Sequence, residues 1–201
     1  MSDLETQLAY PLKDEVWKRA SRNFKKRAFQ DGWADISYED HETPVGLVRL
    51  SATKEGVVCL TFEVENQEKV MESLAVKVSP RMLKVSTPLL TEARQELDQY
   101  FQGKRHSFDV PLDFRLMKAF RKEVLMATAK IPYGQTLSYA KVAEEAGNPK
   151  AVRATGSALA TNPIPIFVPC HRVVRSDGTF GQYRGGVAAK TLLLELEQQA
   201  R

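Results

Sequence analysis

The first half of the chain alternates apolar and polar residues in a pattern typical of β-strands. The segment 56–65 shows it most clearly. Its apolar residues at every second position are Val58, Leu60, Phe62 and Val64. We expect these four side chains to share one face of a strand, with Cys59 on the opposite face as a structural thiol. Two similar runs, 33–38 and 45–50, precede this segment and are separated by turn residues, which predicts an antiparallel meander.

The pattern then changes to helical spacing. One helix is predicted near 67–78. A second opens at Thr87, an N-cap residue followed by Pro88 at the first helical position, and runs to Phe101 before Gly103 ends it. The apolar residues of a last short predicted strand are Phe108, Val110 and Leu112. Strands and helices are therefore mixed in this half.

The second half is predicted to be mostly helical. A helix begins at Phe120 and ends before a turn at 131–134, and two short helices follow at 138–146 and 150–160. The tripeptide Gly-Asn-Pro at 147–149 separates the two short helices, as in a helix-turn-helix. The second of them consists mainly of small residues, so it is able to lie close to another surface, either a neighbouring helix or DNA. The apolar run 164–168 has strand character.

These patterns predict an α/β (α+β) protein with three parts. Residues 1–30 form a basic N-terminal extension, 31–113 an α/β domain with a small antiparallel sheet, and 114–201 a C-terminal helix-turn-helix domain. Within the extension, residues 13–27 have helical spacing but few apolar residues. They are compatible with a docked helix, a nucleic-acid-binding arm or a mobile tail, and we favour a weakly docked helix.

Composition excludes several classes of protein. The 201 residues are 43% hydrophobic and 27% charged, a globular balance. Apolar runs are too short for a membrane span, and the N-terminus does not resemble a secretory signal. Two cysteines, Cys59 and Cys170, are too few for a disulfide framework or a multi-cysteine zinc module. We therefore expect the protein to reside in a reducing cytoplasm, at the nucleoid if the source is bacterial, and to have no membrane partner.

Positive charge is concentrated in the second half. Residues 115–190 hold 12 Lys and Arg against 4 Asp and Glu, whereas residues 1–114 hold 16 against 19. Such a block is typical either of a polyanion-binding surface, for example for DNA, or of a solvated basic face.

One dipeptide offers candidate chemistry. Cys170 and His171 lie between the apolar run and a basic segment. A thiol attacks as its thiolate, so it needs a nearby base or a positive field, and His171 is the candidate base. Adjacent residues of a strand point to opposite faces, so a turn is needed to bring the two together. Taken alone, a Cys-His pair carries little information.

The longer string that contains this pair is far more specific. Residues 162–174, NPIPIFVPCHRVV, are followed by glycines at 178, 181, 185 and 186 and by Tyr183, and preceded by 131–134, 138–139, 147–149 and 151–158. From Phe114 onward the chain resembles the O6-alkylguanine-DNA alkyltransferases, also called methylated-DNA–protein-cysteine methyltransferases. The resemblance implies a winged-helix-like C-terminal domain, double-stranded DNA with alkylated guanine as partner, a monomer, and no cofactor or metal.

The resemblance also implies residue roles. Cys170 matches the acceptor of the alkyl group, His171 the base that acts through a water, and Glu197 the carboxylate that orients His171. By position alone, Glu195 competes with Glu197. The reaction implied is a single transfer from guanine O6, with O4-alkylthymine as a second substrate.

The remaining roles concern DNA. Asn162 matches the hinge that ties the helix-turn-helix to the active-site segment, although it is also compatible with a helix C-cap. Arg153 matches the residue that replaces the flipped nucleotide, and Tyr139, otherwise a core residue, matches the one that crowds the phosphate and protonates the leaving guanine. The residues that match the guanine pocket are Val173, Tyr183 and the backbone around Arg184. Arg184 departs from relatives with a small hydroxyl residue there, which predicts extra charge at the pocket mouth.

Three other functions remain open at this point. An alkyltransferase-like protein binds lesions without repair, but such proteins lack the acceptor that Cys170 matches. A helix-turn-helix regulator would need no thiol, and a cysteine hydrolase would turn over repeatedly.

Overall fold

The computed structural model describes residues 14–199. The N-terminal half contains helix α1 (Asp14–Gln30), strands β1 (Ile36–Thr43), β2 (Gly46–Ala52) and β3 (Val57–Phe62), helix α2 (Gln67–Lys77), strand β4 (Met82–Lys84) and helix α3 (Pro88–Phe101). The C-terminal half contains helix α4 (Phe120–Ala129), strand β5 (Leu137–Ser138), helices α5 (Tyr139–Glu145) and α6 (Val152–Ala160), a 3-10 turn at Cys170–Arg172, strand β6 (Val173–Val174) and helix α7 (Gly186–Gln199). This is the expected mixed α/β architecture with a mainly helical second half.

Local sequence explains where several helices begin. The side chain of Asn66 accepts the Lys69 N–H at 3.0 Å at the start of α2, and Thr87 accepts the Leu90 N–H at 3.3 Å before Pro88 in α3. Ser138 caps α5. The predicted helices after the strands are all present. The predicted extension lies partly outside the described residues, because only Asp14 onward is described, and this part forms α1.

The antiparallel meander β1–β2–β3 is confirmed, but the sheet has a fourth strand that the pattern did not predict. The strand order is β3-β2-β1-β4, and β4 pairs with β1 in parallel. At only three residues, β4 is too short to show an alternation. Trp33, expected in the first strand, precedes it and is exposed, since β1 starts at Ile36.

The expected face of β3 is wrong at Val58 and does not extend to Val64. A register shift opposite Ser51 and Ala52 makes a β-bulge. Val58 and Cys59 therefore pack together in a cluster with Ile36 and Leu74, whereas Leu60 and Phe62 belong to the main core. Val64 lies beyond the strand and is exposed.

Two expected strands are not formed. Residues 108–112 are irregular, and only Leu112 makes an isolated bridge, with Val57. Residues 164–168 form a buried turn with one bridge between Pro165 and Val168. The apolar residues of 164–168 and Val110 are buried, whereas Phe108 and Leu112 are half-buried, and neither segment forms a strand.

One hydrophobic core joins the two halves. A single cluster of buried residues extends from β2, β3 and α3 to α4, the 164–168 turn and α7. The halves are also hydrogen-bonded, because the Leu60 N–H donates to the Pro163 carbonyl at 2.8 Å. In the part of the chain from 14 to 199, no helix is long and apolar enough to cross a membrane.

Candidate active site

Cys170 lies at the start of the 3-10 turn and is held by Asn162. The amide nitrogen of Asn162 donates to the Val168 carbonyl at 2.9 Å and to Cys170 Sγ at 3.1 Å, while its Oδ1 accepts the Ile164 N–H at 3.0 Å. Asn162 is fully buried and directly follows the residue that caps α6. Its side chain thus ties the end of α6 to the thiol.

Cys170 and His171 are adjacent residues of a 3-10 turn, not of a strand, in which neighbouring side chains point to opposite faces. His171 is fully buried, and its Nε2 lies 2.8 Å from Glu197 Oε1. Within residues 14–199, its Nδ1 has no hydrogen-bond partner. Burial lowers the pKa of His171 below its usual value, although ionised Glu197 opposes the shift. A neutral imidazole in this position is able to accept a proton.

Glu197 is surrounded by donors from three parts of the chain. The guanidinium of Arg172 binds both carboxylate oxygens at 2.9–3.1 Å, the Tyr100 hydroxyl donates to Oε1 at 2.7 Å, and the Gly134 N–H donates to Oε2 at 3.0 Å. Burial by itself raises the pKa of Glu197, but the hydrogen bonds from His171 and Arg172 outweigh it and lower the pKa to about 2. Glu195, the positional competitor, is exposed.

The surroundings of Cys170 shift the pKa of its thiol in both directions. Burial raises the pKa of its thiol, while the hydrogen bond from Asn162 and the charges of Lys190 and Arg184 act in the opposite direction. Lys190 is fully buried, and its Nζ donates to the Val173 carbonyl at 2.6 Å. Burial lowers the pKa of Lys190 to about 8. The resting thiol is therefore protonated and needs a base before it attacks.

Two of the residues expected around guanine, Val173 and Tyr183, are buried. The ring of Tyr183 stands 5.5 Å from that of Phe62 and 6.3 Å from that of His171, measured between centroids. Its hydroxyl is buried and has no hydrogen-bond partner in the described part of the chain. Val173 is fully buried in β6.

The charge expected at Arg184 has a partner in the structure. The guanidinium forms an ion pair with Glu65 at 2.6 Å and donates to the Asn162 carbonyl at 2.6 Å. The positive charge is thus compensated by a carboxylate of the N-terminal half, and it joins the two halves behind Asn162. Only the backbone near Arg184 remains a candidate for contact with a base.

Tyr139 and Arg153 line a shared surface groove of about 380 Å³ together with Gly156, Arg175 and Gly181. Arg153 is exposed on α6. Tyr139 is half-buried, and burial raises the pKa of its hydroxyl. Its ring lies so close to Gly181 that a Cβ at that position would collide with it. The groove combines two cations with a tyrosine, which are side chains of the kinds that contact phosphates in protein–DNA complexes.

Sequence reasoning missed three residues of this site. Arg172 was visible in the string around Cys170, but its bond to Glu197 was not. Lys190 lies in the stretch that carries the resemblance, but it was given no role there. Tyr100 gave no signal, because it lies 97 residues from Glu197 in the chain. Among residues 14–199, no group of three or more His, Cys, Asp or Glu is arranged to hold a metal ion.

Comparison with known proteins gives one family for both halves. Residues 36–114 match the family described as "6-O-methylguanine DNA methyltransferase, ribonuclease-like domain", and residues 119–199 match "6-O-methylguanine DNA methyltransferase, DNA binding domain". The chain is 38% identical over 151 residues to the inducible methylated-DNA–protein-cysteine methyltransferase of Bacillus subtilis, covering 75% of this chain and 84% of that protein.

Solved structures agree with this result. The Mycobacterium tuberculosis OGT in complex with DNA is 32% identical, with a TM-score of 0.69 over 82% of this chain and 94% of that one. The O6-methylguanine-DNA methyltransferase of Pyrococcus kodakaraensis is 28% identical, with a TM-score of 0.59 over 81% and 98%. By family match, identity and fold together, this chain belongs to the 6-O-methylguanine DNA methyltransferase family.

Proposed function

We propose that this protein repairs DNA by transferring the alkyl group of O6-alkylguanine to Cys170, once per molecule. The single observation that carries the proposal is that the buried Cys170 is hydrogen-bonded by Asn162 while the next residue, His171, is hydrogen-bonded to Glu197. In the reaction, Cys170 Sγ forms a bond to the alkyl carbon while the bond from that carbon to guanine O6 breaks. The product is a neutral thioether, which nothing in the site regenerates. O4-alkylthymine offers the same carbon–oxygen bond and is the second expected substrate.

His171 is the base in this proposal. Its Nδ1 accepts the thiol proton through a bridging water, and Glu197 at 2.8 Å stabilises the imidazolium that forms. The buried charge of Lys190 favours the thiolate over the thiol. Asn162 keeps Sγ in position through its 3.1 Å hydrogen bond.

The leaving guanine carries the electrons of the broken bond and needs a proton. Tyr139 is the proposed donor, and it regains a proton from the solvent side of the groove. Tyr183, Val173 and the backbone near Arg184 form the proposed pocket for the flipped base. The unpartnered, buried hydroxyl of Tyr183 is available to that base.

DNA binding is proposed to involve α6 and the groove beside it. A base inside a duplex hides O6 from attack, so the nucleotide must leave the stack, at a cost of a few kcal/mol. Arg153, exposed on α6, is the residue proposed to fill the space and contact phosphate. The small residues of α6 suit entry into the minor groove, where sequence information is low. We expect a monomer in the cytoplasm, at the nucleoid in a bacterium, where Cys170 stays reduced.

Intact-mass analysis tests the reaction. After incubation with a duplex that contains O6-methylguanine, we expect one gain equal to a methylene group, confined to the peptide that contains Cys170. Cys59→Ser is the matched control and should react like the unaltered protein, whereas Cys170→Ser should not react. Transfer of more than one equivalent per protein would exclude the single-turnover reaction. Binding without any mass gain would favour a regulator or a lesion-binding protein instead.

A further inference from the structure

A second groove lies far from Cys170, between α1 and the edge strand β4. We call it the α1 groove. It has a volume of about 440 Å³, and the residues that matter here are Trp17, Lys18, Arg22 and Lys25 of α1 with Tyr38 and Lys84 of the sheet. Helix α1, which forms one side of it, precedes residue 36, where the first family match begins. The proposed function does not use it.

The aromatic side chains of this region are unusually exposed. Trp17, Phe24 and Trp33 each show 62% of their surface to solvent. Helix α1 packs against β4, but its one buried side chain is the small Ala28. The helix is thus attached to the sheet while the rings of Trp17 and Phe24 remain exposed.

The charge of α1 is strongly positive. The cations are Lys18, Arg19, Arg22, Lys25, Lys26 and Arg27, against Asp14 and Glu15. Within residues 14–199, none of these six cations takes part in an ion pair. On the sheet side Lys84 is paired with Asp40, and Glu39 is the acidic residue that lines the groove. The surface is therefore complementary to an anion with several charges.

The α1 groove is also separate from the proposed duplex-binding surface. In the strand order β3-β2-β1-β4, the helix lies at the β4 edge, whereas β3 contacts the segment after α6 through Leu60 and Pro163. Three strand spacings correspond to about 14 Å across the sheet alone. A ligand in the α1 groove consequently does not occupy the groove of Tyr139 and Arg153.

We infer that the α1 groove binds a single strand of DNA. The cations of α1 contact successive phosphates, and the exposed ring of Trp17 stacks on a base, as in other proteins that combine a cationic groove with aromatic platforms. A single strand fits better than a duplex, because the bases of a duplex are already stacked on each other. A lipid surface fits poorly, because α1 has few apolar residues and its small buried face is turned to the sheet.

The positions of the two tryptophans provide a direct test. The chain contains only Trp17 and Trp33, so Trp33→Phe leaves Trp17 as the single fluorophore and retains a ring beside Phe24. We expect an undamaged thymidine oligonucleotide of about 15 nucleotides to quench Trp17 fluorescence in a saturable way, and salt to weaken the binding. A duplex of the same length should quench much less.

Charge reversal supplies the matched comparison. In the Trp33→Phe background, Arg22→Glu with Lys25→Glu should weaken the quenching by the oligonucleotide by about tenfold or more. Lys69→Glu with Lys77→Glu makes the same change in net charge on exposed positions of α2 and should leave it nearly unchanged. Both variants should react normally with free O6-benzylguanine, because this reaction depends on the site of Cys170 and not on the α1 groove. Loss of oligonucleotide binding at the α1 groove is thereby distinguished from loss of the proposed repair reaction.

Several results would overturn the inference. One is an oligonucleotide that binds by fluorescence anisotropy without any change in Trp17 emission. Another is equal weakening by the α1 and α2 charge reversals. Equal quenching by single strand and duplex, or quenching by vesicles of phosphatidylglycerol but not by the oligonucleotide, would also reject a single-strand site.

Discussion

Replacing Glu197 by glutamine tests the proposed base and the stability of the site at once. The substitution keeps the size of the side chain but removes its charge. His171 then loses the carboxylate that stabilises its protonated form, and the buried Arg172 loses its ion pair. We expect a slower transfer and a less stable fold, both from the same buried group.

The pKa of Glu197 sets the size of the stability effect. It falls from an ordinary value of 4.5 to about 2. Because one pKa unit corresponds to about 1.4 kcal/mol, ionised Glu197 stabilises the fold by about 3 kcal/mol near neutral pH. A separate argument agrees, since breaking a buried ion pair by removing one partner typically costs about 3–5 kcal/mol.

The sign of the pH dependence follows from the lowered pKa. The contribution of Glu197 is fully present above the unfolded value near 4.5 and is lost as the pH falls through the folded value of about 2. Between pH ~7 and pH ~3 the unaltered protein should therefore lose about 2 kcal/mol through this group. Glu197→Gln lacks this loss, so the two stability curves should converge in acid.

The assay is urea unfolding across this pH range, combined with the rate of reaction with free O6-benzylguanine. We expect Glu197→Gln to be about 3 kcal/mol less stable at neutral pH and to transfer at least about tenfold more slowly, since general base catalysis is typically worth more than that. The matched control is Glu195→Gln, two residues away and exposed, which should change neither quantity. An unfolding free energy within about 1 kcal/mol of the unaltered protein would refute the buried ion pair. A normal transfer rate in a folded variant would refute the role of Glu197 through His171.

Four further substitutions, at three positions, separate the roles of individual residues. Arg153→Ala should slow repair of duplex DNA more than Arg153→Lys does. Both variants should react normally with free O6-benzylguanine, because the free base needs no flipping. Equal losses of rate on both substrates would mean that Arg153 supports the fold. Tyr100→Phe removes one hydrogen-bond donor to Glu197 and should lower the free energy of unfolding, measured in urea, by about 1–3 kcal/mol. The transfer rate should fall less than in Glu197→Gln, because other donors to the carboxylate remain. An unchanged free energy of unfolding would contradict the Tyr100 hydrogen bond. Gly181→Ala should displace the Tyr139 ring and slow transfer to both substrates, and normal rates on both would show that the ring adapts without consequence.

The local parts of the fold were predictable because their signals are local. Thr87 followed by Pro88 marks a helix start that the structure confirms, and the helix expected from 138 begins at Tyr139 with Ser138 as its cap. The failures have equally physical causes. The bulge opposite Ser51 depends on how two strands pair, so alternation within one strand could not reveal that Val58 changes face.

Apolar content alone also misled the prediction of strands. The residues 164–168 are as apolar as a buried strand, yet they form a turn in which Ile166 adopts a positive φ of 74°. The turn is held by the Asn162 side chain, which satisfies backbone groups that a sheet would otherwise pair. A fully buried segment needs partners for its backbone, but the sequence does not say whether a neighbouring strand or one amide side chain supplies them.

The site shows the same division between near and distant contacts. Asn162, Cys170 and His171 lie within ten residues of each other, so one string of sequence was enough to bring them to attention. Tyr100 comes from α3 in the other half and meets Glu197 only because one core joins both halves. Its hydroxyl binds the same carboxylate oxygen that lies 2.8 Å from His171, so packing of the N-terminal half acts directly on the orientation of the proposed base. The N-terminal half is therefore part of the active-site structure, and substitutions in its core should alter the transfer rate even where they lie far from Cys170.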